Sequence, residues 1–163
     1  MAILQNNRNG FKISFTVRNL MPLKGVPSSI SPELLYALAR MGHGDFLVIA
    51  DSNFPSDSLA ISTTLKVPIR ASGLTTDILR DILVLFPLDS YIEFPVIMMD
   101  RVQSDKEKDI AVPAYNMVRN CCQHEVRLKE RFDFYDTARS AFCIVTTTDN
   151  SPYANIIIYK GVL

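Results

Sequence analysis

The chain has 163 residues, enough for one domain that buries roughly two-thirds of its unfolded surface. Lysine plus arginine number 17 and so do aspartate plus glutamate, so no net field recruits nucleic acid or an anionic membrane, and a neutral small ligand or another protein is the expected partner. The longest apolar stretches, such as 78–88, are broken by Arg80 and Asp81 and fall short of a membrane span of about 18 residues, so a soluble protein is expected.

The first 32 residues hold no acidic side chain, while Arg8, Lys12, Arg18 and Lys24 are basic, a balance that organelle transit segments share. Phe11, Ile13, Phe15 and Val17 alternate with polar residues, however, which is the pattern of a half-buried strand. Ser31-Pro32-Glu33 is a helix start: a serine N-cap, proline at the first helical position, and a carboxylate at the positive end of the dipole. That helix carries Leu34, Leu35, Leu38 and Met41 on one face and is expected to end at Gly42. The unbroken apolar run from Phe46 to Ala50 reads as a buried strand. Asn53-Phe54-Pro55-Ser56 is turn chemistry, and the stretch beyond it is irregular apart from a short strand around 67–70.

A second helix is expected from Thr75 to Phe86, capped by threonine and stopped by Pro87. Pro95 confines the next strand to a piece around Val96-Ile97-Met98-Met99. A charged connection over 103–109 leads to a third helix from Pro113 to Cys122, a short strand at 126–128 and a helix over 131–139. Two strands, 142–147 and 155–159, flank the turn Asp149-Asn150-Ser151-Pro152 and close the chain. Helices alternating with short strands indicate an α/β domain. The three cysteines, Cys121, Cys122 and Cys143, lack zinc or redox spacing and read as small apolar residues of a reducing compartment, so a cytoplasmic protein is expected.

Chemistry is most legible at His43, which stands between Gly42 and Gly44 just after a helix. An imidazole exchanges protons near neutral pH, and the two glycines leave its backbone free to adopt positive φ. The bland alternative is a helix cap. Asp51 falls at the end of a buried strand, where ligands are commonly met, and Asp89 also lies beside an apolar run. A carboxylate at such a place accepts two sugar hydroxyls as readily as it caps a turn. Tyr153 and Asn155 flank Ala154 and so point to one side of a strand, an aromatic face beside an amide. Arg131 and Tyr135 are four apart and share a helix face. His43, Asp45 and Asp51 are conceivable metal ligands, yet no His-x-x-x-His or cysteine cluster accompanies them, and no glycine-rich phosphate loop is present; neither a metal nor a nucleotide cofactor is expected.

The order of several blocks resembles the fucose mutarotase and ribose pyranase family. They are Leu23-Lys24-Gly25-Val26-Pro27, the run from Ser31 to Asp45, Ala50-Asp51-Ser52-Asn53-Phe54-Pro55, Pro87-Leu88-Asp89-Ser90-Tyr91, Glu130 to Tyr135, Tyr153-Ala154-Asn155 and Lys160-Gly161-Val162-Leu163. The likeness covers residues 21–163, nearest the fucose branch, and leaves 1–20 as an N-terminal extension. It implies a homo-oligomeric α/β domain with a small central sheet flanked by helices, interconverting the α and β anomers of L-fucose or a similar free monosaccharide without a cofactor. It further implies His43 as proton donor and Tyr135 as its catalytic partner, with Asp51, Asp89, Met99, Arg131, Tyr153 and Asn155 contacting the sugar and Asp51 alternatively fixing the histidine tautomer. The alternatives are a non-catalytic sugar-binding module and a pyranose–furanose isomerase. The chain departs from the pattern at Ala154, where a glycine is usual, over 58–67, and in the extension itself.

Overall fold

Among the described residues, six strands form one mixed sheet in the order β2-β5-β1-β6-β3-β4. The computed structural model describes residues 23–163, so the expected transit-like segment, the alternating strand at 11–17 and the boundary at 20/21 lie outside the described residues. Strand β1 (Phe46–Ala50) lies inside the sheet, parallel to β5 (Cys143–Thr146) and antiparallel to β6 (Ile156–Tyr159). β6 also runs antiparallel to β3 (Val96–Met99), which pairs in parallel with the edge strand β4 (Val126–Lys129). The other edge is β2 (Ile69–Arg70), two residues long.

The continuous apolar character of β1 follows from burial on both faces. Leu47 and Ile49 face one core, under helices α1 (Pro32–Arg40), α3 (Thr75–Leu83) and α5 (Pro113–Cys122). Val48 and Ala50 face the other, with Phe54, Leu59 and Ala60 around α2 (Ser56–Ala60) and Phe134 and Ala138 of α6 (Arg131–Ala138). Each fully buried Leu, Ile or Val contributes about 1.5–3 kcal/mol, so burial on both faces anchors this strand in the domain.

Several ends differ from the sequence expectation. Helix α1 begins as expected, the Ser31 hydroxyl accepting the Leu34 amide at 3.2 Å, but it stops at Arg40 and Met41 is extended. The last carbonyls need no glycine there, because the Lys160 ammonium donates to the Leu38 and Met41 carbonyls at 2.8 and 2.7 Å. Helix α3 ends at Leu83, and no threonine caps it: Thr75 is its first residue, and both its amide and its hydroxyl donate to Asp149 Oδ2, at 2.9 and 3.0 Å. Two short helices break segments read as irregular or charged connections, α2 and α4 (Gln103–Glu107).

Asp149 supplies a cap from 74 residues away. Burial pushes its pKa up, but hydrogen bonds from Ser151 and Thr75 outweigh this and hold it below the ordinary carboxylate value. Its stabilising contribution is therefore present above pH 3.8 and disappears as pH falls through the lower folded value. Asp149→Ala is expected to cost about 1–3 kcal/mol in urea unfolding near neutral pH and to remove that acid-side slope.

Candidate active site

His43 stands at the head of β1. Met41 is buried below it, and the chain then turns: the Asp45 amide donates to the Gly42 carbonyl at 3.2 Å, with Gly44 at φ 84°. That is the geometry of a type II turn, which needs positive φ only at its third residue, so Gly44 uses its freedom and Gly42 does not. Asp45 Oδ2 accepts the Gly42 amide at 2.7 Å and so is committed to the turn. The turn is sewn to the end of β6, Gly44 amide to Lys160 carbonyl at 2.9 Å and Lys160 amide to Asp45 carbonyl at 2.8 Å.

Asp89 meets His43 there, Oδ2 lying 3.3 Å from Nε2; the imidazole is 47% exposed and the carboxylate 3%. The other Asp89 oxygen accepts the Tyr91 amide at 2.9 Å, and the Tyr91 ring lies 5.5 Å from the imidazole. A buried carboxylate on one ring nitrogen orients the imidazole. Gly161 fixes the Asp89 segment from behind: a Cβ there would stand 2.4 Å from the Leu88 carbonyl oxygen, a separation no side chain tolerates.

The second cluster lies at the opposite end of the same strand. Asn155 and Asp51 bond reciprocally, Asn155 Nδ2 donating to Asp51 Oδ2 at 2.6 Å and the Asp51 amide donating to Asn155 Oδ1 at 3.0 Å. Asn155 Nδ2 also approaches Met99 Sδ at 3.8 Å, and both Asp51 and Met99 are buried. Burial raises the Asp51 pKa, opposed by hydrogen bonds from the Asn53 amide and the Asn155 side chain. Tyr135 is half-buried, edge-on to Phe54 at 5.3 Å, its pKa raised by burial, lowered by Arg131 and raised again by Asp51 and Glu130. Arg131 lies 4.6 Å over the Phe132 ring, and its Nε is buried without a hydrogen-bond partner among the described residues. Tyr153 sits at φ 59°, outside strand geometry, so the alternation expected to align it with Asn155 does not reach it.

The structure therefore gathers the eight candidate residues into two groups. His43 and Asp89 stand at the head of β1, and Asp51, Met99, Asn155, Tyr135, Arg131 and Tyr153 at its tail, where β1, β3 and β4 end. The strand alone separates them by about 13 Å, four steps of roughly 3.3 Å. Within one chain Asp51 thus cannot fix the His43 tautomer; Asp89 occupies that place. His43, Asp45 and Asp51 do not converge either, and among the described residues no three His, Cys, Asp or Glu side chains are placed to hold a metal ion. Sequence reasoning missed Lys160, which pins the His43 turn, and Phe54, which braces Tyr135; only an Lys160-Gly161 pair following an apolar strand hinted at the former. Two clefts of about 460 and 570 Å³, around Arg101 with Tyr115 and around His124 with Glu125, belong to neither group. No helix among the described residues is long and apolar enough to cross a membrane.

Comparison with known proteins covers both groups. The RbsD / FucU transport protein family matches residues 24–163. The fucose mutarotase of Mus musculus is 45% identical over 150 residues, 88% of this chain and 97% of the relative. The L-fucose mutarotase of Haemophilus influenzae strain PittEE is 40% identical, over 86% of this chain and 96% of its own length. Among solved structures, the Streptococcus pneumoniae fucose mutarotase in complex with L-fucose superposes with a TM-score of 0.75 at 34% identity, covering 86% of this chain and 99% of that one. With the family's pattern running from Lys24 to the last residue, and these identities sustained over most of its length, the chain belongs to the RbsD / FucU family.

Proposed function

We propose that this chain is a mutarotase that interconverts the α and β anomers of L-fucose by acid–base ring opening and closure, needing no cofactor. The observation that carries the reading is the half-exposed His43 imidazole held by the buried Asp89, in a chain 45% identical to a fucose mutarotase. Opening requires a proton on the ring oxygen while the anomeric hydroxyl loses one; the C1–O5 bond breaks and an aldehyde forms. Rotation about C1–C2 presents the other carbonyl face, and reversing both transfers closes the second anomer. His43 supplies the proton at the ring oxygen and Tyr135 handles the anomeric one. Asp51, Asn155, Met99, Tyr153 and Arg131 contact the sugar, the carboxylate and amide taking hydroxyls as a pair.

Because the two groups lie at opposite ends of β1, the complete site is assembled from two copies, the His43 end of one protomer against the Tyr135 end of the next. A contact between unlike ends is heterologous, and it makes a ring where its rotation closes. The three free cysteines fit a reducing compartment such as the cytoplasm.

NMR saturation transfer between the α and β anomeric protons tests the activity: exchange accelerates with L-fucose, and no acceleration at saturating protein would sink the reading. Assembly has its own test. Co-refolding equal amounts of His43→Gln and Asn155→Ala chains should restore about a quarter of the sites, since each half comes intact from one variant by even chance. A site closed within one chain would restore none.

A further inference from the structure

Helix α4 is weakly rooted in the domain. None of its five residues is buried, and its N-cap Val102 has no side chain able to cap it, so almost no apolar surface holds it down. Its outward ties are polar, with Lys106 paired to Asp100 just past β3. Asp105 is the one residue of the helix that is half-buried, and its Oδ2 accepts the Tyr153 hydroxyl at 2.7 Å. The same hydroxyl oxygen lies 3.4 Å from the Val102 amide, which donates to it.

Tyr153 in turn is held in a backbone conformation that residues with a side chain rarely adopt, φ 59°. Its ring packs against both cores, at the tail of the sheet where Met99 and Asn155 meet. Such a conformation persists only where the surroundings over-determine it, and the fixed point at the far end of the ring is the hydroxyl on α4.

We propose that Asp105 is a positioning residue of the sugar site: its hydrogen bond fixes the Tyr153 ring and thereby couples the docking of α4 to the shape of the surface beside Asn155 and Met99. The proposal rests on Tyr153 contacting the sugar. A carboxylate acceptor bonds more strongly than a neutral one, so its loss is felt through the ring and not through proton transfer.

Asp105→Ala is expected to raise KM for anomer exchange about tenfold and to leave kcat within about twofold, because His43, Asp89 and Tyr135 keep their partners. Asp105→Asn, which retains an oxygen acceptor, restores most of the affinity. Tyr153→Phe raises KM at least as much, and the double variant Asp105→Ala/Tyr153→Phe is no worse than Tyr153→Phe alone, since the tyrosine change already removes the bond to Asp105. A readout without sugar accompanies these: the Tyr153 ring Cζ NMR signal moves in Asp105→Ala and returns toward its original position in Asp105→Asn. Lack of exchange in the unaltered protein would sink the mutarotase reading alone, while the Cζ signal still reports on the coupling. An unchanged KM, additive penalties, or a Tyr153 signal indifferent to Asp105→Ala would each overturn the positioning role.

Discussion

His43→Gln is expected to slow anomer exchange by about 10²- to 10⁴-fold, the usual contribution of one general acid–base group, while the sugar affinity stays within about threefold. The imidazole is 47% exposed and carries no core packing, so glutamine fits the turn without disturbing the fold. Glutamine retains a hydrogen-bonding group near Asp89 but has no nitrogen that gives and takes a proton near neutral pH. Saturation transfer gives the rate and titration calorimetry the affinity. A chain that binds L-fucose and never accelerates exchange, with or without His43, would be a binding module. Loss of affinity together with rate would instead mean that His43 holds the sugar.

Asn155→Ala is expected to abolish measurable sugar binding and to cost about 2–4 kcal/mol of stability. Among the described residues, Asn155 is the sole side chain that closes the Asp51 amide and carboxylate together, at 3.0 and 2.6 Å, and its removal leaves both partners buried at the tail of β1. The pH dependence is distinctive. Burial already holds the Asp51 pKa above 3.8, so the folded chain takes up the proton before the unfolded one does, and stability falls as pH rises from 3.8 to the folded value. Losing the Asn155 hydrogen bond, which favours the carboxylate, raises the folded value further and widens that window. Urea midpoints measured from pH 3 upward on both proteins, within the ordinary acid range of a carboxylate, should therefore diverge as pH rises. Parallel curves would contradict the assignment.

Much of the architecture is written locally. The bounds of β1 and of α5 agree with expectation to the residue, because a five-residue apolar run and a proline at a helix start are decided by near neighbours. The end of α1 is not, since Lys160 closes it from a distant part of the chain, and α3, which starts at Thr75 as expected, takes its cap from the distant Asp149 and not from a threonine. Helices α2 and α4 have five residues each, too few to display a periodicity. The residue types of the candidate site were equally legible, whereas their division between two ends of a strand was not. Asp51 and Asn155 are 104 residues apart and meet only because β6 runs antiparallel to β1. The His43 partner likewise turned on where the Leu88–Lys160 bridge placed Asp89.

β2 is two residues long, and β4 presents Arg127 and Lys129, so neither margin of the sheet invites a further strand from a neighbouring molecule. A short margin and a basic one guard against runaway stacking of copies side by side. The assembly proposed above joins strand ends, where His43 and Asn155 stand, and so leaves both margins out of the contact.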